Sequence, residues 1–271
     1  MYYEIHGPQV SNTNQRDIAS INVPTVLLSS GLGGSANFWQ PQIAALSEQY
    51  RVIVYDQRGT GRSPFTLPQD YSIDHMAQDV LALMQKLEIE ACHFIGHALG
   101  GLVGLHLALH HPEKLESLVP INAWSCPNPH TLRCFDIRKS LLAHCSASDY
   151  LKMQALLLYP PDWIAKHVHT LEQEERHMLA HFPDKANLLA RIKALSEFNI
   201  DDALASIQTR TFVLANSDDT LIPWKCSQSL ARRLPNSSIS VLDYGGHAST
   251  ITVPEIVNNL LLAHLQQPTL D

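Results

Sequence analysis

The sequence predicts an α/β fold: a mostly parallel, doubly wound sheet with an inserted helical cap. Three observations carry this. Short apolar, β-branched runs alternate with helical patterns, as a parallel sheet requires. One strand-to-helix junction, Ile95-Gly96-His97-Ala98-Leu99-Gly100-Gly101, is dense in glycine. From residue 126 to residue 204 the alternation stops and no convincing strand pattern is found.

Taken in order, Thr25-Val26-Leu27-Leu28-Ser29-Ser30 is the first core strand and Arg51-Val52-Ile53-Val54-Tyr55 the second, each ending in a glycine-rich or polar turn. Cys92-His93-Phe94-Ile95, Leu118-Val119-Pro120-Ile121, Thr211-Phe212-Val213-Leu214 and Ile239-Ser240-Val241-Leu242 supply four more strands, with helices between them on both faces. The strand-free stretch is punctuated by Pro160-Pro161 and Phe182-Pro183-Asp184, which predicts a cap of three or more helices. The core is then 1–125 and 205–271, and the cap 126–204.

The 271 residues, 45% hydrophobic and 17% charged, suit one sizeable core. A formal charge of -7 offers no basic stripe for a phosphate backbone, and no apolar run approaches the roughly 20 residues that cross a bilayer. Nucleic acid and membrane are therefore not expected as partners; a small-molecule substrate is, and a homodimer stays open. The start, Met1-Tyr2-Tyr3-Glu4-Ile5-His6-Gly7, lacks the pattern of a secretory signal, so the expectation is a cytoplasmic protein. Cys92, Cys126, Cys134, Cys145 and Cys226 show no CxxC spacing, and are expected reduced and mostly buried.

The glycine-rich junction has the frame of a nucleophile elbow. In G-x-S-x-G a sharp turn forces the central residue into a strained conformation, and small residues two places either side let the backbones approach. Gly96 and Gly100 stand where they should, but the serine position is filled by Ala98. Two further segments follow in the order acid then histidine: Asn216-Ser217-Asp218-Asp219-Thr220-Leu221-Ile222-Pro223 after the fifth strand, and Tyr244-Gly245-Gly246-His247 after the sixth. A carboxylate there would fix the tautomer of the histidine and stabilise its charged form. Ser30-Gly31-Leu32-Gly33-Gly34 could supply one oxyanion-hole amide, from Leu32, and Leu99 the other.

Together with Asp56-Gln57-Arg58-Gly59-Thr60-Gly61-Arg62-Ser63, these segments resemble the α/β-hydrolase superfamily over nearly all the chain outside the cap. Gly31-Leu32-Gly33-Gly34-Ser35, Tyr55-Asp56-Gln57-Arg58-Gly59-Thr60-Gly61, Gly96-His97-Ala98-Leu99-Gly100 and Tyr244-Gly245-Gly246-His247-Ala248 are similar, more narrowly, to the hydrolase family of the bacterial Rut pyrimidine-utilisation pathway. The cap segments Leu158-Tyr159-Pro160-Pro161-Asp162-Trp163 and Asn187-Leu188-Leu189 join that resemblance. It implies an α/β-hydrolase fold, no cofactor and no metal. It also implies faster breakdown of carbamate or the enamine aminoacrylate in uracil catabolism, with nitrogen leaving as ammonia.

Loss of a triad member leaves roughly 10³ to 10⁴-fold acceleration from the oxyanion hole and binding. That is too little for a stable ester, yet it could suffice for a substrate already decomposing in water. The expectation is therefore a hydrolase without a serine nucleophile: His247 as general acid or base, Asp219 as its partner, and the amides of Leu32 and Leu99 facing developing negative charge. Asp219, four residues before Pro223 as the family's acid usually is, is preferred to Asp218, which fits a turn cap. Arg58 as an anion clamp, Arg133, Trp124, Tyr159 and Trp163 are the candidate pocket residues.

Several alternatives stand beside this. Ala98 can mark a tight turn only, or an esterase whose serine was changed to trap substrate. Ser63, Ser125 and Ser249 are conceivable substitute nucleophiles outside any recognisable elbow. His177 and His181, with His167 and His169 nearby, raise a metal site, but without the glutamate of H-E-x-x-H a polar helix face is the better reading. Gly31-Leu32-Gly33-Gly34-Ser35-Ala36 with Asp56 fits a dinucleotide fingerprint, although the helix is expected only near Pro41. From another class comes a non-catalytic ligand-binding protein on a disabled hydrolase fold.

Overall fold

The computed structural model describes residues 1–8 and 23–267. Seven strands, β1 (Tyr3–His6), β2 (Thr25–Ser29), β3 (Arg51–Tyr55), β4 (Cys92–His97), β5 (Leu115–Ile121), β6 (Thr211–Asn216) and β7 (Ser237–Leu242), form one sheet in the order β1-β3-β2-β4-β5-β6-β7. Every neighbouring pair is parallel except β1 with β3. The antiparallel edge strand β1 was not expected. None of its four residues is buried and Ile5 is exposed, so its sequence carries no hydrophobic run.

Alternate strand residues enter opposite layers, which is why the strands read as continuous apolar runs. Val26, Leu28, Val52, Val54 and Ile95 pack with Trp39, Ile43, Leu46, Val257 and Leu261. These belong to the turn before α1 (Gln40–Ser47), to α1 itself and to α11 (Pro254–Leu265). Leu27, Ile53 and Phe94 point the other way, toward Val80 and Leu83 of α2 (Ile73–Lys86) and Leu102, Val103 and Leu105 of α3 (Leu99–His110). Two helices finish the core: α9 (Trp224–Arg233) between β6 and β7, and α10 (Ser249–Thr252) before α11.

Five helices lie between β5 and β6: α4 (Pro129–His144), α5 (Ala147–Leu158), α6 (Pro161–Lys166), α7 (Val168–Ala180) and α8 (Lys185–Glu197). Their starts are written locally. Asn128 accepts from the Thr131 amide, Ser146 and Asp149 form a reciprocal capping box, and Asp184 accepts from Ala186 and Asn187. The proline-bearing turns separate them, with Pro160 immediately before α6. Among the described residues no helix is long and apolar enough to cross a membrane.

Candidate active site

The elbow is built at the end of β4. Ala98 adopts φ 46° and ψ -110°, a conformation that side chains avoid, and α3 starts at the next residue. The turn is so tight that a Cβ at Gly96 would lie 2.2 Å from the Gly100 carbonyl oxygen, and one at Gly100 would lie 2.1 Å from that of Ser29. The Ala98 amide donates to the Ile121 carbonyl (2.8 Å), tying the turn to β5. A strained turn thus carries a methyl group where a nucleophile would be presented.

The acid and the histidine meet. His247 Nδ1 lies 2.7 Å from Asp219 Oδ2, and both side chains are almost fully buried. Asp219 Oδ1 accepts from the amides of Leu221 and Ile222, each at 2.8 Å, so the carboxylate cannot swing away. Asp218 does a different job: its two oxygens accept from Gly245 (3.0 Å) and Gly246 (2.9 Å), holding the loop that delivers His247. His247 Nε2 has no hydrogen-bond partner among the described residues, which leaves it as the nitrogen facing a reactant.

The backbone of His247 is pinned as firmly as its ring. Its carbonyl accepts from His97 Nε2 and from Asn122 Nδ2, both at 2.8 Å. Asn122 takes φ 48° and also accepts from the Asn216 amide at 3.1 Å, joining the ends of β5 and β6 beneath the site. Burial pushes the His97 imidazole down to about 3, so it is neutral and its Nε2 proton is committed to that carbonyl. The rings of His97 and His247 lie 4.7 Å apart, near edge-to-face.

Across the elbow runs the loop Gly31–Gly34, closed by Gly34 N donating to Gly31 O at 3.0 Å. Arg191 from α8 grips it: Nε reaches the Leu32 carbonyl at 3.2 Å, while Nη2 reaches Leu32 O at 3.0 Å, Gly31 O at 3.4 Å and Gln57 Oε1. The amides of Leu32 and Leu99 donate to no described residue. The helical insertion also braces the other loops. Leu158 O accepts from Ala248 N (3.0 Å), Leu157 O from Thr220 Oγ1 (3.4 Å), and His130 Nε2 donates to Thr220 O (2.8 Å).

The pocket candidates divide. Tyr159 and Trp163 stack at 4.6 Å beside the histidine loop, where the Tyr244 hydroxyl donates to Asp162. Trp124 is buried two residues beyond Asn122, with its indole N–H unpartnered. Arg58 does not fit the role of anion clamp: Asp79 engages its Nε (3.0 Å) and Nη2, and its guanidinium lies over Phe65, so its charge is already answered. Arg133 is exposed on α4.

The alternatives are also placed. Ser63 donates to the Asp56 carbonyl and Ser125 to Asp201, while Ser249 is fully buried at the start of α10. Asp56 accepts from Ala36 N and Arg62, which makes it a loop brace. His177, His181 and His169 are exposed, and among the described residues no group of three or more His, Cys, Asp or Glu is arranged to hold a metal. All five cysteines are free, two of them buried and Cys145 exposed.

Four residues at or near the site escaped sequence reasoning: His97, Asn122, Arg138 and Arg191. Asn122 belongs to no motif. The arginines did leave a signal. Thr131, Cys134, Phe135, Arg138 and Leu142 are the buried face of α4, and Asn187, Leu188, Arg191, Ile192 and Leu195 that of α8. A charged residue on an apolar helical stripe is the pattern to look for.

Comparison with known proteins agrees with this fold. Residues 24–142 match the family described as alpha/beta hydrolase fold. The chain is 51% identical to a protein of Stutzerimonas stutzeri named "Putative carbamate hydrolase RutD", over 98% of this chain and 97% of that one. Among solved structures it resembles a hydrolase from Pseudomonas aeruginosa (26% identity, TM-score 0.85, 98% and 94% of the two chains). The fold is shared as well with an enol-lactonase from Burkholderia xenovorans (24% identity, TM-score 0.86, 98% and 96% covered).

Proposed function

The chain belongs to the RutD family of α/β-hydrolase-fold proteins, and from that premise we propose that it accelerates the breakdown of carbamate or aminoacrylate in pyrimidine catabolism, releasing ammonia without a serine nucleophile. The observation that carries this is the His247–Asp219 pair, 2.7 Å apart and fully supported, beside an elbow that presents Ala98.

On carbamate, protonated His247 gives a proton from Nε2 to nitrogen. The C–N bond breaks with its electron pair going to nitrogen, and ammonia and carbon dioxide leave; solvent then returns the proton to histidine. On the enamine, Nε2 protonates the carbon β to nitrogen to form an iminium ion. Neutral His247 then removes a proton from water as it adds, and the carbinolamine collapses to ammonia and an aldehyde. Asp219 stabilises the charged imidazole in both cases. The amides of Leu32 and Leu99 favour the second reaction: oxygen carries negative charge as the carbinolamine gives up its hydroxyl proton and expels ammonia, whereas it loses charge as carbamate becomes carbon dioxide.

The test is ammonia release from freshly generated carbamate and aminoacrylate, comparing native protein, His247→Ala and buffer alone at equal pH and buffer strength. An acceleration that disappears with the imidazole is expected. Equal rates in all three would favour the second reading, a ligand-binding protein, which the alanine at the elbow motivates. Ala98→Ser separates a third: gain of fast ester hydrolysis would mark a disabled serine esterase, and continued inertness is expected.

A further inference from the structure

Inside the helical insertion, polar groups stand buried without partners. Arg138 on α4 and Arg191 on α8 are 3% and 0% exposed, and neither forms an ion pair with a described residue. Nε and Nη2 of Arg138 and Nη1 of Arg191 have no hydrogen-bond partner among the described residues, and the hydroxyl of Tyr150 on α5 faces Arg138 without a close hydrogen bond. Tyr150 is close enough to both cations to sense them. Its ring centroid is 5.9 Å from the Arg138 guanidinium carbon, and its hydroxyl feels the charge of both arginines. Desolvation pulls Arg191 down to about 10, the mark of a guanidinium without a compensating anion.

Buried charges are normally paired, because leaving water costs each ion several kcal/mol. Two buried guanidiniums without a carboxylate partner, one of them with two nitrogens unpartnered and the other with one, are therefore unexplained by the fold alone. Asp79, the nearby carboxylate, is already occupied by Arg58. Arg191 spends Nε and Nη2 on the carbonyls of Leu32 and Gly31, which aims its remaining edge into the interior from the loop that carries the Leu32 amide. Planar forks of N–H donors match a carboxylate in particular.

We infer that Arg138, Arg191 and Tyr150 form a buried carboxylate-binding subsite beside the Leu32 loop, so that the substrate is a small acid whose carboxylate is separate from the carbon that reacts. The inference deepens the function proposed above and rests on it for the identity of the reacting centre. It selects the enamine acid over carbamate, whose single carboxylate is itself the group that is destroyed.

The probe is propanoate, with propanamide as its neutral counterpart, titrated calorimetrically into the full chain. Native protein and His247→Ala should bind propanoate alike, and about 30-fold more tightly than propanamide. Arg138→Leu should weaken propanoate about 30-fold, about 2 kcal/mol at 1.4 kcal/mol per decade, without loss of melting temperature. Tyr150→Phe and Arg138→Lys, which alter one hydroxyl and the planar fork, should weaken it about 5-fold, and they decide the matter if Arg138→Leu does not fold. Equal binding of propanoate and propanamide, or native-like binding by these variants, would overturn the subsite. Propanoate binding without any ammonia release would keep the subsite and remove the catalytic reading; the reverse result would do the opposite.

Discussion

The loops at the ends of β4, β6 and β7 and the interior of the helical insertion treat polar groups in opposite ways. Around His247 and Asp219 the groups that position the pair are matched: two amides hold Asp219, two amides are held by Asp218, and two side chains hold the His247 carbonyl. In the insertion, Arg138 leaves Nε and Nη2 unpartnered, Arg191 leaves Nη1 so, and neither has a carboxylate partner among the described residues. The catalytic pair is held in place by the chain itself and so is preorganised for chemistry. The second region is complete only with an anion, which makes it a recognition site.

The largest expected effect breaks the first region. Asp219→Asn removes the charge that orients His247 while keeping the side-chain shape. The enzyme-dependent rate of ammonia release should fall roughly 10² to 10⁴-fold with little change in melting temperature. Next is Gly100→Ala, whose Cβ would sit 2.1 Å from the Ser29 carbonyl oxygen. Urea titration should show a loss of about 3 kcal/mol, since two strands and a helix must move together.

Arg138→Leu sharpens the contrast, because the two regions should answer deletion with opposite signs. With no anion present, replacing an unpaired buried charge by an apolar side chain should raise stability by about 1 to 3 kcal/mol in the same titration. A loss of that size would show that the arginine is satisfied within the fold.

The smallest effect concerns pH. Burial lowers His97 to about 3 and both His93 and His264 to about 4, from an ordinary value of 6.5. Between these values the unfolded chain holds more protons than the folded one. The stability from keeping these rings neutral is therefore present above about pH 6.5 and is lost as pH falls toward 4. His97→Gln retains an N–H for the His247 carbonyl but cannot titrate. Its acid unfolding should take up about one proton fewer, seen as a shallower dependence of the urea midpoint on pH.

The contrast between the two regions also explains what could be read from the sequence. The six parallel strands, the elbow and the order of acid and histidine are local signals: an apolar run, a glycine spacing, a residue at a strand end. Each sits at the turn where the chain uses it. The choice of Asp219 over Asp218 was legible only through its place four residues before Pro223, because both carboxylates accept two amides and differ in which one faces the imidazole. Asn122 was illegible, since its partners lie 94 and 125 residues away in sequence. Arg58 misled because it is the motif arginine beside the glycines, while its partner Asp79 sits on α2 with no motif of its own. Arg133 and Arg138 lie on one helix five residues apart; only the buried stripe separates the exposed cation from the inward one.

The most direct test of a hydrolase that works without its serine is the pH dependence of enzyme-dependent ammonia release from aminoacrylate, measured for native protein and His247→Ala. The native rate should depend on pH, and both the rate and its pH dependence should vanish in the variant. A profile unchanged by loss of the imidazole would contradict the account.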